Sequence, residues 1–388
     1  MPIFYNSAQP QNISHSYSQF SQVDFVCRPQ PGRQVVAGSF RLSGKVGISK
    51  TLFGATSAVP VVPTDNVFLD VFAGAHSFIK NVSCSINERI IENIAYYARS
   101  CTSKVMAENT LEDITSSSYH APELKGLQNN VPLCLGTDTV TDTTTNGQLQ
   151  AISFSIKPMI ALNRSSTDLP VSRFAQMKIM MTLASALESL YCSSPQPVAG
   201  SADLIIGLNY FMEDVQLNWY EVPELVEIPR TVFKTVYLTT QTVVSLNTNL
   251  YCSSPVLYNA VACSFILQAD RNKVYKNDLM CEYIKDIIRL EFTINGNDGP
   301  LAFAIGSGDQ PPYQMIASNL HKALEGTEKN CLMNKLLSET VAFGIGSAFK
   351  SSQNDKLGIA ITISDQTDRN PSTFPYDAFI YTMGFLEV

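Results

Sequence analysis

The sequence predicts an all-β protein built as two sandwiches in tandem, with short helices confined to the loops. Three observations carry this reading. Apolar and polar residues alternate with period two through most of the chain. Only two stretches show the stripe of an amphipathic helix. A proline-flanked acidic segment near the middle, PELVEIPRT, separates two halves that each open and close on long β-branched or alternating runs.

Taken in order, VVAGSFRLSGKVGIS sets Val36, Phe40, Leu42, Val46 and Ile48 on one face against Ser39, Arg41, Ser43 and Lys45 on the other. NERIIENIAYYARS places Ile90, Ile91, Ile94, Tyr97 and Ala98 on one helical stripe, with Ser85 and Asn87 available as caps. The polar stretch 107–148, including TDTVTDTTTNG, reads as an exposed loop. AISFSIK (Ile152, Phe154, Ile156) and MKIMMTL (Met177, Ile179, Met181, Leu183) alternate as strands. DLIIGLNYFMEDVQLNWYEV is long enough for two strand segments with a kink near Met212–Asp214. After the linker come VFKTVYLTTQTVVSL, then IIRLEFTING, which runs into an Asn-Gly turn. The second helix is YQMIASNLHKALEG, with Met315, Ile316, Asn319, Leu320, Ala323 and Leu324 on one side and Gly326 ending it. LGIAITIS and YDAFIYTMGFLEV finish the chain, and 364–375 reads as a surface loop. The expected divisions are an N-terminal arm over 1–34, a first sandwich over 35–222, a linker over 223–231 and a second sandwich over 232–388.

The hexapeptide LYCSSP occurs at 190–195 and again at 250–255. The first copy lies between the last two strands of the first half, the second after the opening strand of the second half. The repeat therefore aligns nothing. The shared strand order of the two halves is the better sign of kinship.

Composition narrows the function. Apolar residues make up 45% of the 388 and charged ones only 16%, so the surface is rich in Ser, Thr, Asn and Gln. Net charge is −7 with no basic cluster, and the first twenty residues carry no Lys or Arg, which argues against direct nucleic-acid binding. No signal peptide is read at the N-terminus, and no apolar run reaches the roughly 18 residues of a membrane span. Nine scattered cysteines without CxxC pairs read as reduced, mostly buried thiols, and the sequons at Asn12, Asn81 and Asn163 as unused.

The residues that invite chemistry form no motif. His15, His76, His120 and His321 are far apart. His76 neighbours Ser77, but a nucleophile elbow is missing. Segments 305–309 and 344–349 are glycine-rich, yet the second leads to a strand and neither contains a Gly-Lys-Ser/Thr triplet, so tight turns are preferred to a phosphate loop. Ser347–Lys350 matches a short S-x-x-K pattern without its partner motifs. Asp65, Asp138 and Asp142 lack calcium-loop spacing. Glu112–Asp113 and Glu213–Asp214 are adjacent pairs, which on a strand point to opposite faces. No catalytic, cofactor-binding or metal-binding residue is assigned, and no cofactor is expected.

Five stretches carry a family resemblance: NVFLDVFAGAHSFIKNVSCSINERIIENIAYYARS, SFSIKPMIALNRSSTDLPVSRFAQMKIMMTL, ADLIIGLNYFMEDVQLNWYEV, IIRLEFTINGNDGP and VAFGIGSAFKSSQNDKLGIAITIS. In strand order and loop placement over about 35–388 the chain resembles the double jelly-roll major capsid proteins of icosahedral double-stranded DNA viruses, nearest to the virophage and polinton-like kind. The resemblance implies two tandem eight-stranded jelly rolls. It also implies homotrimeric capsomers of pseudo-hexagonal outline, contacts with neighbouring capsomers and with penton and minor capsid proteins, and a place in a virion capsid assembled inside the host cell. The absence of long tower insertions implies a comparatively flat capsomer. A tandem jelly-roll lectin or adhesin is the competing class, and it requires a shallow aromatic site. Trp219, the single tryptophan, lies at a strand end beside Tyr220 and fits a core position better. A single-roll minor vertex protein is disfavoured by the length.

Overall fold

The computed structural model describes residues 2–70, 73–108, 138–192, 198–225, 230–253, 257–279, 287–304, 313–324, 345–348, 355–364 and 370–388. The first half runs through β1 (Phe4–Ala8), β2 (Tyr17–Ser18), β3 (Gln22–Cys27), β4 (Arg33–Val35), β5 (Arg41–Leu52), β6 (Val59–Pro60) and β7 (Val67–Leu69). The hairpin β8 (Ile79–Ile86) and β9 (Arg89–Ile94) leads into helix α1 (Tyr97–Glu108). Then follow β10 (Asp138–Asp142), β11 (Gly147–Ile156), β12 (Leu169–Pro170), β13 (Met177–Leu183), β14 (Leu190–Cys192) and the long β15 (Ile205–Pro223). The second half is β16 (Val232–Val243), β17 (Asn247–Ser253), β18 (Leu257–Leu267), β19 (Ile287–Ile294), β20 (Asn297–Ala304), helix α2 (Tyr313–Ala323), β21 (Ile345–Ala348), β22 (Lys356–Ile363) and β23 (Tyr376–Glu387).

The two halves wind identically. The second pairs its strands as β16–β23–β18–β21 and β17–β22–β19–β20. The first pairs β1–β15–β5–β11 and β3–β13–β8–β9, with β10 extending one sheet and β2, β4, β6 and β12 as short additions. With each set of eight principal strands counted along the chain, both sandwiches read 1-8-3-6 against 2-7-4-5. This is the antiparallel wrap of a jelly roll, so the predicted pair of eight-stranded jelly rolls is present.

Four expectations need correction. Residues 1–34, expected as an arm, contain the first two strands of the first jelly roll. β1 buries little side chain; it is held by backbone pairing along β15, from Phe4 opposite Glu221 to Ala8 opposite Leu217, so hydrophobic periodicity does not reveal it. β3 buries Val23, Phe25 and Cys27 on alternate positions within a polar neighbourhood.

The helix expected from Ser85 begins only at Tyr97. Asn87 and Glu88 both adopt positive φ, 45° and 70°, the geometry of a two-residue hairpin turn, and Arg89–Ile94 returns as a strand. A register shift between Cys84 and Ser85 lets Ile91 and Ile94, three apart, both reach the interior.

The stretch 138–148 is a hairpin rather than a loop. Asp142 holds its turn by accepting from the Thr144 and Thr145 amides at 2.8 and 3.2 Å. Val140, Leu149, Ala151 and Phe211 form a small apolar cluster over Gly47, where an added Cβ would stand 2.9 Å from Leu149 Cβ. Finally, the kink in the closing strand is a bulge. Asp214 takes φ 54° and the register against β5 shifts between Glu213 and Gln216, yet the strand continues to Pro223. The second expected helix is found where its stripe predicted. The two LYC segments lie in unlike strands, β14 on β7 and β17 on β22.

Cores follow from alternation with one exception. β18 and β23 are apolar on both faces. Val261, Cys263, Phe265, Ala378 and Ile380 point into the second jelly roll, whereas Ala260, Ala262, Phe379, Tyr381 and Met383 join the core of the first. A strand buried on both sides loses its alternation.

Among the described residues, cysteines 27, 84, 101, 192, 252 and 263 are buried thiols. Burial pushes the Cys192 and Cys252 thiols up to about 12, and likewise the Tyr191 and Tyr237 hydroxyls to about 12. The unfolded chain therefore loses these protons first as pH rises. Their contribution to stability is complete below the ordinary thiol value of 9.0 and is lost progressively toward 12. We expect the urea midpoint to fall between pH 8 and pH 10.5. We also expect peptides carrying these six cysteines to resist alkylation at pH 8 until denaturant is added; rapid labelling of the native protein would contradict the packing described.

Candidate functional site: the seam between the jelly rolls

The outer face of sheet β16–β23–β18–β21 rests on the first jelly roll, and this seam combines apolar contact with buried charge. Phe174 meets Phe233 edge-on at 5.9 Å between centroids, and Tyr96 meets Phe379 at 5.0 Å. Such pairs add about 0.5–1.5 kcal/mol beyond their buried area.

Glu92, on β9, is fully buried. Its Oε1 accepts from Arg164 Nη2 at 2.7 Å and from the Val236 amide of β16 at 2.8 Å, while Oε2 accepts from the Ala161 amide at 2.6 Å. One carboxylate thus joins three segments and satisfies a backbone donor at the edge of the second jelly roll. Tyr237, next along, donates to the Ile91 carbonyl at 3.1 Å.

A second node surrounds Arg99 of α1, which is 1% exposed. Its Nη2 donates to Asp278 Oδ2 at 3.0 Å and to the Asp278 carbonyl, and its guanidinium lies 4.2 Å from the Phe379 ring centroid. Arg271 extends the network, with Asp377 at 2.6 Å, Glu188 at 3.6 Å and Asp278 at 4.0 Å. Burial works against the charge of Arg271, but the bond to Asp377 and the field of Asp278 outweigh it and hold the pKa above its ordinary value. Buried Asp70 accepts from the Ala73 amide at 2.7 Å and from Asn277 Nδ2 at 2.8 Å, again linking the halves. At the chain end, Arg173 Nη2 donates to Val388 O at 2.6 Å, and Thr167 bonds Thr231 at 2.9 Å. Each charge taken out of water requires a partner at one position. The nodes therefore define a single relative placement of the two jelly rolls.

The residues singled out for chemistry are dispersed. His76 is buried with Nδ1 2.9 Å from the Tyr97 hydroxyl, which itself accepts from the Met159 amide, and the Ser77 carbonyl accepts from Ser189. His15 is exposed, 3.8 Å from Glu213, and His321 lies on α2. Ile345–Ala348 is strand β21. Gly346 lies under α2, where an added Cβ would meet Leu320 and the Val261 carbonyl at 3.0 Å, so this glycine serves helix-on-sheet contact. Ser347 is buried. Asp65 pairs with Lys50, Asp138 and Asp214 with Lys45, and Glu213 accepts from the Thr141 amide. Trp219 is buried beside Phe40 and donates to Glu221 at 2.9 Å. Segment 305–309, Glu112–Asp113, His120 and Lys350 lie outside the described residues. Among those described, no group of three His, Cys, Asp or Glu is placed to hold a metal, and no helix is long and apolar enough to cross a membrane.

Sequence reasoning passed over the seam residues because no local motif joins them: Arg99 and Asp278 are 179 positions apart. The available signal was charge inside apolar runs, Glu92 in RIIENI and Arg99 in YYARSC.

No protein-family model and no curated protein matches the chain. Solved structures match over its whole length. A chain of the Sputnik virophage, determined by cryo-EM, is 14% identical with a TM-score of 0.60, the match covering 100% of this chain and 86% of that one. The Faustovirus major capsid protein is 7% identical at a TM-score of 0.58, covering 100% and 90%. A chain of the PBCV-1 virus capsid is 10% identical at 0.55, covering 100% and 94%. The chain has the double jelly-roll fold found in viral major capsid proteins.

Removing one partner of a buried, hydrogen-bonded charge costs about 3–5 kcal/mol. We expect Glu92→Ala and Asp278→Ala each to lower the free energy of unfolding by about that amount in urea titrations. Thr239→Ala, on the exposed stretch of β16, should stay within about 0.5 kcal/mol. A loss below about 1 kcal/mol for both seam variants would mean that the charges are solvated rather than buried.

Proposed function

We propose that this chain is a major capsid protein, three copies of which form a pseudo-hexagonal capsomer that tiles an icosahedral viral shell. The observation that carries the reading is the doubling. Two jelly rolls of one strand order, fixed side by side by the seam, provide two similar lobes per chain. Three chains then supply six lobes around one axis. Similarity of fold to capsid proteins over the entire chain supports the same reading. The division into lobes falls at the linker over 223–231.

Neighbouring capsomers and penton and minor capsid proteins are the further partners. The protein belongs in the virion capsid and is assembled inside the host cell. Low charge and net −7 suit broad, wet contacts between copies better than a grip on nucleic acid. The lectin alternative is not favoured, since the structures sharing this fold over the whole chain include viral major capsid proteins and Trp219 is buried.

Light scattering coupled to size exclusion tests the proposal. We expect three times the 42.6 kDa of one chain, persisting on dilution, with hexagonal outlines under negative stain. A monomer at every concentration would contradict it.

A further inference from the structure

We infer that Asn146 is a site of spontaneous covalent modification: its side chain closes onto the Gly147 backbone nitrogen and is converted to aspartate and isoaspartate, while the other Asn-Gly step of the chain, Asn295–Gly296, is held back from the same reaction. The inference is independent of the assembly proposed above. Both steps lie in hairpin turns. Asn146 takes φ 56° at the end of the β10–β11 connection, and Asn295 and Gly296 take 53° and 83° between β19 and β20. Asparagine and glycine suit such positions because they tolerate positive φ. The same pair carries a chemical weakness, and asparagine is counted among the thermolabile residues. The carboxamide carbon is one five-membered ring closure away from the next backbone nitrogen, and a following glycine has no side chain to obstruct the approach.

The reaction balances with water alone. The Gly147 nitrogen gives its proton to a solvent base and bonds to Cγ of Asn146, and the side-chain nitrogen leaves as ammonia. Water then opens the resulting succinimide at either carbonyl. Attack at Cγ gives aspartate; attack at the main-chain carbonyl gives isoaspartate, whose backbone runs through the side-chain carbon. Because the attacking nitrogen must first lose a proton, the conversion is promoted by base.

What separates the two sites is how each carboxamide is held. Asn295 is tied at both ends: its Nδ2 donates to Asp355 Oδ1 at 2.7 Å, and its Oδ1 accepts from the Lys356 amide at 2.8 Å. Its own amide donates to the Lys356 carbonyl at 2.8 Å. Closing the ring there means breaking two side-chain bonds, one of them to a carboxylate. Asn146 is exposed, and among the described residues no hydrogen bond holds its carboxamide. The Gly147 amide that must attack donates to Thr145 Oγ1 at 3.3 Å, longer than an ordinary N–H···O bond. Asp142 pins the connection at the Thr144 and Thr145 amides, which leaves Asn146 outside the bonded turn, where local opening is least costly. The consequence falls on one element. The product adds a carboxylate to the turn that Asp142 already occupies, and isoaspartate lengthens the backbone where β10 and β11 must stay in register. The hairpin over Gly47 is therefore the part of the first jelly roll that loosens with age.

The experiment ages the full-length protein in mildly alkaline buffer, native and in urea. Peptide mass spectrometry follows each Asn-Gly step through the small mass gain of amide to carboxylate, and isoaspartate-specific methylation separates the products. Urea removes the differences in holding and leaves the following glycine common to both steps. We expect the ratio of conversion at Asn146 to conversion at Asn295 to be at least tenfold larger in the native protein than in urea. A smaller increase, or none, overturns the inference. In the variant Asp355→Ala, which removes one of the two holds, native conversion at Asn295 should rise several-fold while Asn146 is unchanged. An unmoved Asn295 overturns the account of its protection. The wild-type comparison stands whether or not that variant folds.

Discussion

Charge buried between two β-sandwiches must be partnered there, and the architecture depends on partners drawn from both sides of the seam. Glu92 and Arg99 lie in the first jelly roll; the Val236 amide and the Asp278 carboxylate that satisfy them lie in the second. An apolar seam alone would tolerate sliding, because dispersion and hydrophobic burial are non-directional. Hydrogen-bonded charges are not so tolerant: a shift of a few ångströms leaves a desolvated carboxylate or guanidinium without its partner. Aromatic contact holds the surfaces together, and the ionic nodes determine their register.

Edges are handled separately from faces. β3 and β17 are both the second strand of their jelly roll and both an edge of their sheet. Each has its outward backbone capped by an amide side chain. Asn12 bonds the Gln22 carbonyl and accepts from the Asp24 amide, and Gln241 bonds the Tyr251 carbonyl and accepts from the Tyr251 amide. Such caps oppose edge-to-edge strand addition, the ordinary route of β-protein aggregation. Association is thereby directed to side-chain faces, where a defined subunit contact can be built.

Much of this was legible from residue order. Alternation in β5, β11, β13 and β22 placed their core faces correctly; in β19 it placed Leu290 and Phe292, but a register shift buries Ile287 where alternation had pointed Ile288 inward, and the stripe of α2 placed that helix. Three kinds of feature escaped. β1 is held by backbone pairing, for which FYNSA offers no apolar period. The run RIIENI satisfies helical spacing and bulged-strand spacing equally, and only the turn at Asn87–Glu88 decides between them. In β18 and β23 the missing alternation was itself the signal, since a strand apolar on both faces must be covered on both. The seam was the least legible part, because its partners meet only after both jelly rolls have formed. Charged residues inside apolar runs are the trace it leaves in the sequence.

If the seam joins the jelly rolls into one body, they must open together. Native-state hydrogen exchange in sub-denaturing urea, followed by mass spectrometry on peptides from Met177–Leu183 and Lys356–Ile363, measures this directly. The core amides of both strands should converge on one opening free energy and one urea dependence. Exchange of the second strand through an opening that leaves the first fully protected would contradict the account and make the two jelly rolls independent domains.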